Sequence, residues 1–298
     1  MTFKQVITTE SKLKATGYDG EFKVAAAVAV PVPNERDLSL VVQRVTPANG
    51  HDSYYYPEKF PKKQIMLHFT EGHLRGDFNA LTKVDNHVSV PFVVARDGTV
   101  YTLFSSEFWS YHVGPNNLAS NKDLSKAAIG IEVSNYGPLK VSGSNLLTPY
   151  DDVYCSLNDT NEYVKLDKKF RDSQYYATYT DAQYDALIVT LRYLTAKFGI
   201  GRQFLPEDIR YTTTAKALGF NGIITHINYR EDKCDIGPAF DWARVISGVK
   251  ADSFQPAGSG TRDFGDMPEF VNSERDLYPA ALFRKRKIQS DNDPEPGN

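Results

Sequence analysis

Six histidines occur in the 298-residue chain, and two of them stand in apolar runs where a bare imidazole would be desolvated. His68 lies inside Gln64-Ile65-Met66-Leu67-His68-Phe69-Thr70, and His226 follows Ile223-Ile224-Thr225. A buried polar group costs free energy unless it finds a partner. A metal cation is one such partner, and an ordinary interior hydrogen bond is the other. Nine residues after His226 comes Asp235, in the most specific stretch of the chain, His226-Ile227-Asn228-Tyr229-Arg230-Glu231-Asp232-Lys233-Cys234-Asp235-Ile236-Gly237-Pro238-Ala239-Phe240-Asp241-Trp242. A second unusual placement is Glu132, an acid within Ile129-Gly130-Ile131-Glu132-Val133-Ser134. On position alone, such a residue is either a salt-bridged strand glutamate or a group kept for proton chemistry. His51, His73 and His87 read as background.

The elements that must position these residues follow from periodicity. Gln64–Thr70 has strand length and ends at the breaker pair Glu71-Gly72, and Ile129–Ser134 reads as another buried strand. Phe92–Arg96 and Thr99–Phe104, joined by Asp97-Gly98, predict a hairpin with a tight primed turn. Thr180 opens a helix with Gln183 three residues on, as in a capping box, and Gly199 closes it. Tyr184, Leu187, Ile188, Leu191, Leu194 and Phe198 give that helix its core stripe. Strands separated by helices of this length predict an α/β or α+β fold with a mixed sheet.

Composition narrows the function classes. Hydrophobic residues at 41% and charged residues at 24% are ordinary globular values, so a packed core is expected. A formal charge of -3 gives no global attraction to nucleic acid. Cys155 and Cys234 alone cannot make a disulfide framework. The apolar run Val24–Val32 is too short to span a bilayer and reads as a buried strand rather than an export signal. No Gly-rich phosphate loop or nucleophile elbow occurs. Composition breaks divide the chain into residues 1–60, an extension of unreadable role; 61–250, which hold the chemistry; and 251–298, a C-terminal extension with a polar tail. Within the last zone, Arg284-Lys285-Arg286-Lys287 reads as a solvated charge run.

Residues 61–247 resemble the type-2 N-acetylmuramoyl-L-alanine amidases, the family that includes amidase-type phage lysins and peptidoglycan-recognition proteins. Six segments agree in order: the His68 strand with Thr70 and Gly72, the Arg96-Asp97-Gly98 hairpin, Trp109-Ser110-Tyr111-His112-Val113-Gly114, Ile129–Glu132, Tyr179-Thr180-Asp181-Ala182-Gln183, and His226–Trp242. The resemblance implies an α/β fold with a mixed central sheet flanked by helices and a zinc site at one sheet edge. It implies Zn2+ held by His68, His226 and Asp235, leaving the fourth position that catalytic zinc needs. Cys234 competes as third ligand, but the family's ligand sits two residues after a lysine, and Lys233 points to Asp235. Ile236 departs from the commoner proline. Glu132 becomes the expected general base, Lys233 the oxyanion partner, and His112 and Trp109 expected substrate contacts.

The family commonly carries an aromatic or histidine where Val90-Pro91 stand here, so proton work is expected to fall on Glu132. The expected activity is hydrolysis of the amide between N-acetylmuramic acid and L-alanine. The expected partner is peptidoglycan or a muropeptide, with no nucleic acid and no stable membrane insertion. A metal-free module that only binds peptidoglycan is the alternative, and a closed structural zinc site is a third reading. A phage lysin, a delivered toxin and a recycling enzyme all remain open.

Overall fold

The computed structural model describes residues 1–251. The expected C-terminal extension, apart from Ala251, and its basic run lie outside the described residues. The chain opens with α1 (Phe3–Gly20), β1 (Phe22–Val24), β2 (Val28–Val32) and β3 (Glu35–Pro47). There follow β4 (Gln64–Phe69), α2 (Leu74–Leu81), β5 (Phe92–Val94), β6 (Val100–Thr102), α3 (Asn121–Ala127) and β7 (Ala128–Val133). Five strands come next: β8 (Pro138–Ser142), β9 (Asn145–Leu147), β10 (Val153–Ser156), β11 (Tyr163–Phe170) and β12 (Ser173–Ala177). The chain continues with α4 (Asp181–Phe198), α5 (Glu207–Arg210), β13 (Gly222–Thr225) and α6 (Trp242–Gly248).

The central sheet has the order β1-β3-β6-β5-β7-β4-β13, with β2 beside β3. It is mixed, as the element pattern predicts: β4 runs parallel to both β7 and β13, whereas β5 and β6 are antiparallel. Parallel neighbours on both sides leave every residue of β4 buried. Side chains alternate across a strand. Ile65, Leu67 and Phe69 therefore enter the core under α4, with Leu187, Leu191 and Leu194. Met66 packs on the other face with Val113, Leu124, Leu205 and Ile224. His68 emerges on the Met66 face, away from α4.

The helix α4 is built as its sequence demands. The Thr180 hydroxyl accepts from the Gln183 N–H at 3.1 Å, the Gln183 carbonyl accepts from the Thr180 N–H at 3.1 Å, and Gly199 closes the helix in the left-handed region at φ 65°. Gln183 also donates to the Ser134 carbonyl at 2.9 Å, which fixes the helix start against the end of β7.

Three features differ from the expectations. The first sixty residues contribute β1, β2 and β3 to the central sheet, with Val30, Val32, Leu40 and Val42 in the main core. The Val24–Val32 run forms parts of two strands, because Ala25–Ala27 between them are exposed. The β5–β6 hairpin forms, but not on a primed turn. Gly98 donates to the Ala95 carbonyl at 2.9 Å, and Gly98 alone in that loop has positive φ, at 81°. Arg96 instead points inward. Its guanidinium is ion-paired with Glu10 of α1 and donates to Ser134 Oγ at 3.0 Å and to the Gly72 carbonyl at 3.0 Å. Ser134 in turn donates to Asp77 of α2 at 2.6 Å. Such a buried charge is tolerable only when paired and hydrogen-bonded, and although Arg96 Nε is left without a partner, the group ties α1, α2 and the hairpin to the end of β7.

The strands β8–β12 form a second, antiparallel sheet in the order β10-β9-β8-β12-β11, inserted between β7 and α4. Leu139, Leu146, Tyr154 and Ala177 make its core, with Val6 of α1. At its entry, Gly137 has φ 66°, and a β-carbon there would lie 2.3 Å from the Phe69 ring. Among the described residues, no helix is long and apolar enough to cross a membrane.

Candidate metal centre and active site

The strand β13 pairs with β4 so that Thr225 stands opposite Leu67. The next residue along each chain is a histidine, so His226 and His68 leave the sheet edge side by side. The loop after His226 folds back and delivers Asp235. His68 Nδ1 and His226 Nδ1 are 3.1 Å apart, His68 Nδ1 is 3.1 Å from Asp235 Oδ2, and His226 Nδ1 is 3.0 Å from the same oxygen. All three residues are buried. Donors at roughly 2.0–2.2 Å from one tetrahedral Zn2+ lie about 3.3–3.6 Å from each other, so this triangle fits such a cation after opening by a few tenths of an ångström.

The outward nitrogens favour the same reading. His226 Nε2 donates to the Val113 carbonyl at 2.7 Å, which leaves the lone pair of Nδ1 facing His68 and Asp235. His68 Nε2 is 3.1 Å from His112 Nδ1. With its proton on Nε2, His68 likewise turns an Nδ1 lone pair inward. Two such lone pairs 3.1 Å apart repel unless a cation lies between them. Burial lowers the His68 pKa to about 4, against the opposing Asp235 hydrogen bond, and the neutral imidazole is the ligating form. Burial works against the Asp235 charge, but the imidazoles of His226 and His68 outweigh it and hold the carboxyl well below the usual carboxylate range.

Glu132 lies beside this triangle. Its Cα is in register with His68 in the neighbouring parallel strand, so both side chains leave the same face of the sheet. Glu132 Oε2 is buried and has no hydrogen-bond partner among the described residues. Burial pushes the carboxyl well above the usual range, the charges of Asp235 and Asp77 add to this, and Lys233 opposes it. The part-buried Lys233 is thus within electrostatic reach of Glu132, two residues before Asp235.

The other expected site residues are placed differently from one another. His112 contacts His68 through Nδ1, while its own Nε2 is buried without a well-formed hydrogen bond. Trp109 is 3% exposed, stacks on Tyr56 at 4.3 Å and donates to Glu58 at 3.2 Å, so its ring is enclosed in an aromatic stack. Cys234 packs part-buried against the main core, and burial pushes its thiol up to about 12, with the Asp235 and Glu71 charges adding. The three-donor group does not include it. Ile236, the departure from proline, is buried, and the Asp235–Ile236 peptide is cis. Thr70, two residues past His68, lines a cavity of about 330 Å³ together with His73, Asp77, Tyr136 and Tyr150.

Room for His112 depends on Gly130, two residues before Glu132 on the same face. A β-carbon at Gly130 would lie 2.5 Å from Val90 Cγ1 and 3.2 Å from the His112 ring. Gly130→Ala should therefore destabilise the protein by about 1–3 kcal/mol, as overpacking does, and push His112 off His68. Chemical denaturation checks the first effect and zinc affinity the second; a variant matching the parent in both would show that the face is not tightly packed.

The sequence profile of the N-acetylmuramoyl-L-alanine amidases matches residues 58–238, more than half of the chain. The chain belongs to that family. A search of curated proteins by sequence finds no match for this amidase-family chain. Among solved structures, it is similar to the N-acetylmuramyl-L-alanine amidase AmiD from E. coli, solved with anhydro-N-acetylmuramic acid-L-Ala-D-gamma-Glu-L-Lys, at 18% identity and a TM-score of 0.42, covering 68% of this chain and 62% of that one. The chain therefore spans less than two thirds of AmiD. AmpDh3 from Pseudomonas aeruginosa shares 17% identity over 79% of each chain, with a TM-score of 0.39. The endolysin amidase LysCS from Clostridium intestinale shares 12% identity over 67% of this chain and 93% of that one, with a TM-score of 0.37.

The contacts that sequence reasoning missed are the hydrogen bond from His226 to the Val113 carbonyl and the link between His68 and His112. A backbone acceptor leaves no trace in residue types, and no spacing rule joins positions 44 residues apart. The signal in the sequence is the pair of apolar runs around the two candidate ligand histidines.

Proposed function

We propose that this chain is a Zn2+-dependent N-acetylmuramoyl-L-alanine amidase that hydrolyses the amide between N-acetylmuramic acid and L-alanine in peptidoglycan or muropeptides. The observation that carries this reading is the convergence of His68 Nδ1, His226 Nδ1 and Asp235 Oδ2 beside the unpartnered Glu132 Oε2. Family membership supplies the class of bond.

His68, His226 and Asp235 would hold the ion, which when bound polarises the scissile carbonyl and acidifies water. Glu132 accepts a proton from the attacking water and passes it to the departing alanine nitrogen. Burial of its carboxyl suits that exchange, because a raised pKa makes the group both an adequate base and an adequate acid. Lys233 supplies positive charge where the carbonyl oxygen becomes an anion, in a site drier than bulk water. His112 holds the His68 ring through its Nδ1.

Purified protein should contain about one zinc per chain and should release free stem peptide, bearing a new alanine amino terminus, from muropeptides. Elemental analysis and mass spectrometry of the products check both points. Metal-free protein that binds muropeptides without cutting them would replace the amidase reading with that of a binding module.

A further inference from the structure

The β11–β12 hairpin belongs to the sheet inserted between β7 and α4, and its tip reaches the metal loop. A β-carbon on Gly237, two residues after Asp235, would lie 2.7 Å from the edge of the Phe170 ring, so that ring is seated directly on the loop backbone. Phe170 also meets Tyr211 edge-on at 6.2 Å, and the Tyr176 hydroxyl donates to the Phe170 carbonyl. These contacts pin the tip. Beyond Phe170, Arg171 and Asp172 turn the chain with φ of 46° and 65°, and Phe170 pairs across to Ser173. This two-residue turn with both φ positive projects the Arg171 side chain from a fixed base.

Arg171 is exposed, its guanidinium lies 5.6 Å from the Phe170 ring centre, and it has no ion pair among the described residues. Lys233 likewise has no ion pair there. Lys233 lies two residues before Asp235, and Arg171 follows the ring that is seated on Gly237, two residues after it. Two cations without an ion pair among the described residues thus flank the metal loop in a chain whose formal net charge is -3.

We propose that Arg171 is a specificity residue that binds a free carboxylate on the stem peptide, on the leaving-group side of the scissile amide. A guanidinium fork suits a carboxylate, because two parallel N–H donors meet its two oxygens. Lys233 remains available for the reacting carbonyl, so the two cations divide the work between chemistry and recognition. The inference rests on the amidase reading for its substrate and on the hairpin geometry for its residue. The side chain lies outside the fold's core, so it acts through affinity rather than through stability.

The test compares N-acetylmuramoyl-L-alanyl-D-γ-glutamyl-L-lysine amide with the same compound carrying D-isoglutamine in place of D-glutamate, so that the α-carboxylate of the second residue is the only free carboxylate and is present in one compound alone. Binding and turnover are both measured for the parent, Arg171→Gln and Arg171→Lys. The parent should prefer the free acid about tenfold, a preference of the size a charge-assisted contact gives. Arg171→Gln should lose that preference by raising KM and Kd for the acid with kcat little changed. Arg171→Lys should recover part of it, and thermal midpoints should stay together. Equal handling of acid and amide by the parent, or an unchanged preference in Arg171→Gln, overturns the proposal. If the parent binds the acid selectively but cuts neither compound, the amidase reading fails while the anchor stands. If it cuts both without preference, the anchor fails while the amidase reading stands. If it neither binds nor cuts them, both fail.

Discussion

Glu132→Gln is expected to lower turnover by roughly a hundred- to ten-thousandfold, the range that a positioned acid–base group supplies, while the protein keeps its zinc. The substitution preserves shape and removes the charge and the proton. The geometry separates this outcome from that of a structural glutamate. A glutamate retained for an ion pair has its oxygens occupied, and removing it strands a partner; Glu132 Oε2 has no partner to strand. The variant should therefore fold as well as the parent.

The pH dependence gives an independent check on metal-free protein. Burial raises the folded-state pKa of Glu132 above its ordinary value, so the folded chain holds that proton more tightly than the unfolded one. Its contribution to stability then falls as pH rises from the ordinary carboxylate range through the folded pKa. Glutamine has no such loss. Glu132→Gln should gain stability relative to the parent toward higher pH in denaturation curves. A variant that remained fully active, or that unfolded more readily at alkaline pH, would remove Glu132 from the proton chemistry.

What could be read in advance follows the physics of each element. The strands β4 and β7 were legible because parallel strands covered on both faces must be continuously apolar, and that same rule made His68 and Glu132 conspicuous. The helix α4 was legible because both of its ends carry capping residues whose hydrogen bonds form as drawn. The second sheet was not legible. Its strand β11, Tyr-Val-Lys-Leu-Asp-Lys-Lys-Phe, is an edge strand with every residue exposed or half-exposed, so no buried face announces it. The turn type of the β5–β6 hairpin is not legible from Asp97-Gly98, a local signal, because the inward pull on Arg96 comes from Glu10, 86 residues away. The same limit applies to the candidate site: His68 and His226 announce themselves by their apolar runs, but the support of His226 by a backbone carbonyl does not.

Asp235→Asn should abolish zinc binding and leave the metal-free fold nearly as stable as that of the parent. A carboxamide oxygen is a weak zinc ligand compared with a carboxylate, and Asp235 is the single anion of the set. Its amide group instead offers two N–H donors, one toward each Nδ1 now 3.0–3.1 Å from Asp235 Oδ2. The apo-protein thus loses a charge without leaving a hole, and both lone pairs gain a donor. Zinc stabilises only a fold that binds it: at a free concentration of about a thousand times Kd, the gain is about 4 kcal/mol. For a chain of this size that corresponds to a melting shift on the order of 10 °C. The parent should show that shift between chelated and zinc-loaded samples, and Asp235→Asn should melt at one temperature in both. A zinc-dependent shift that survives in Asp235→Asn would place the cation elsewhere. A shift absent from both proteins would mean that the triangle of His68, His226 and Asp235 is held by its own hydrogen bonds alone.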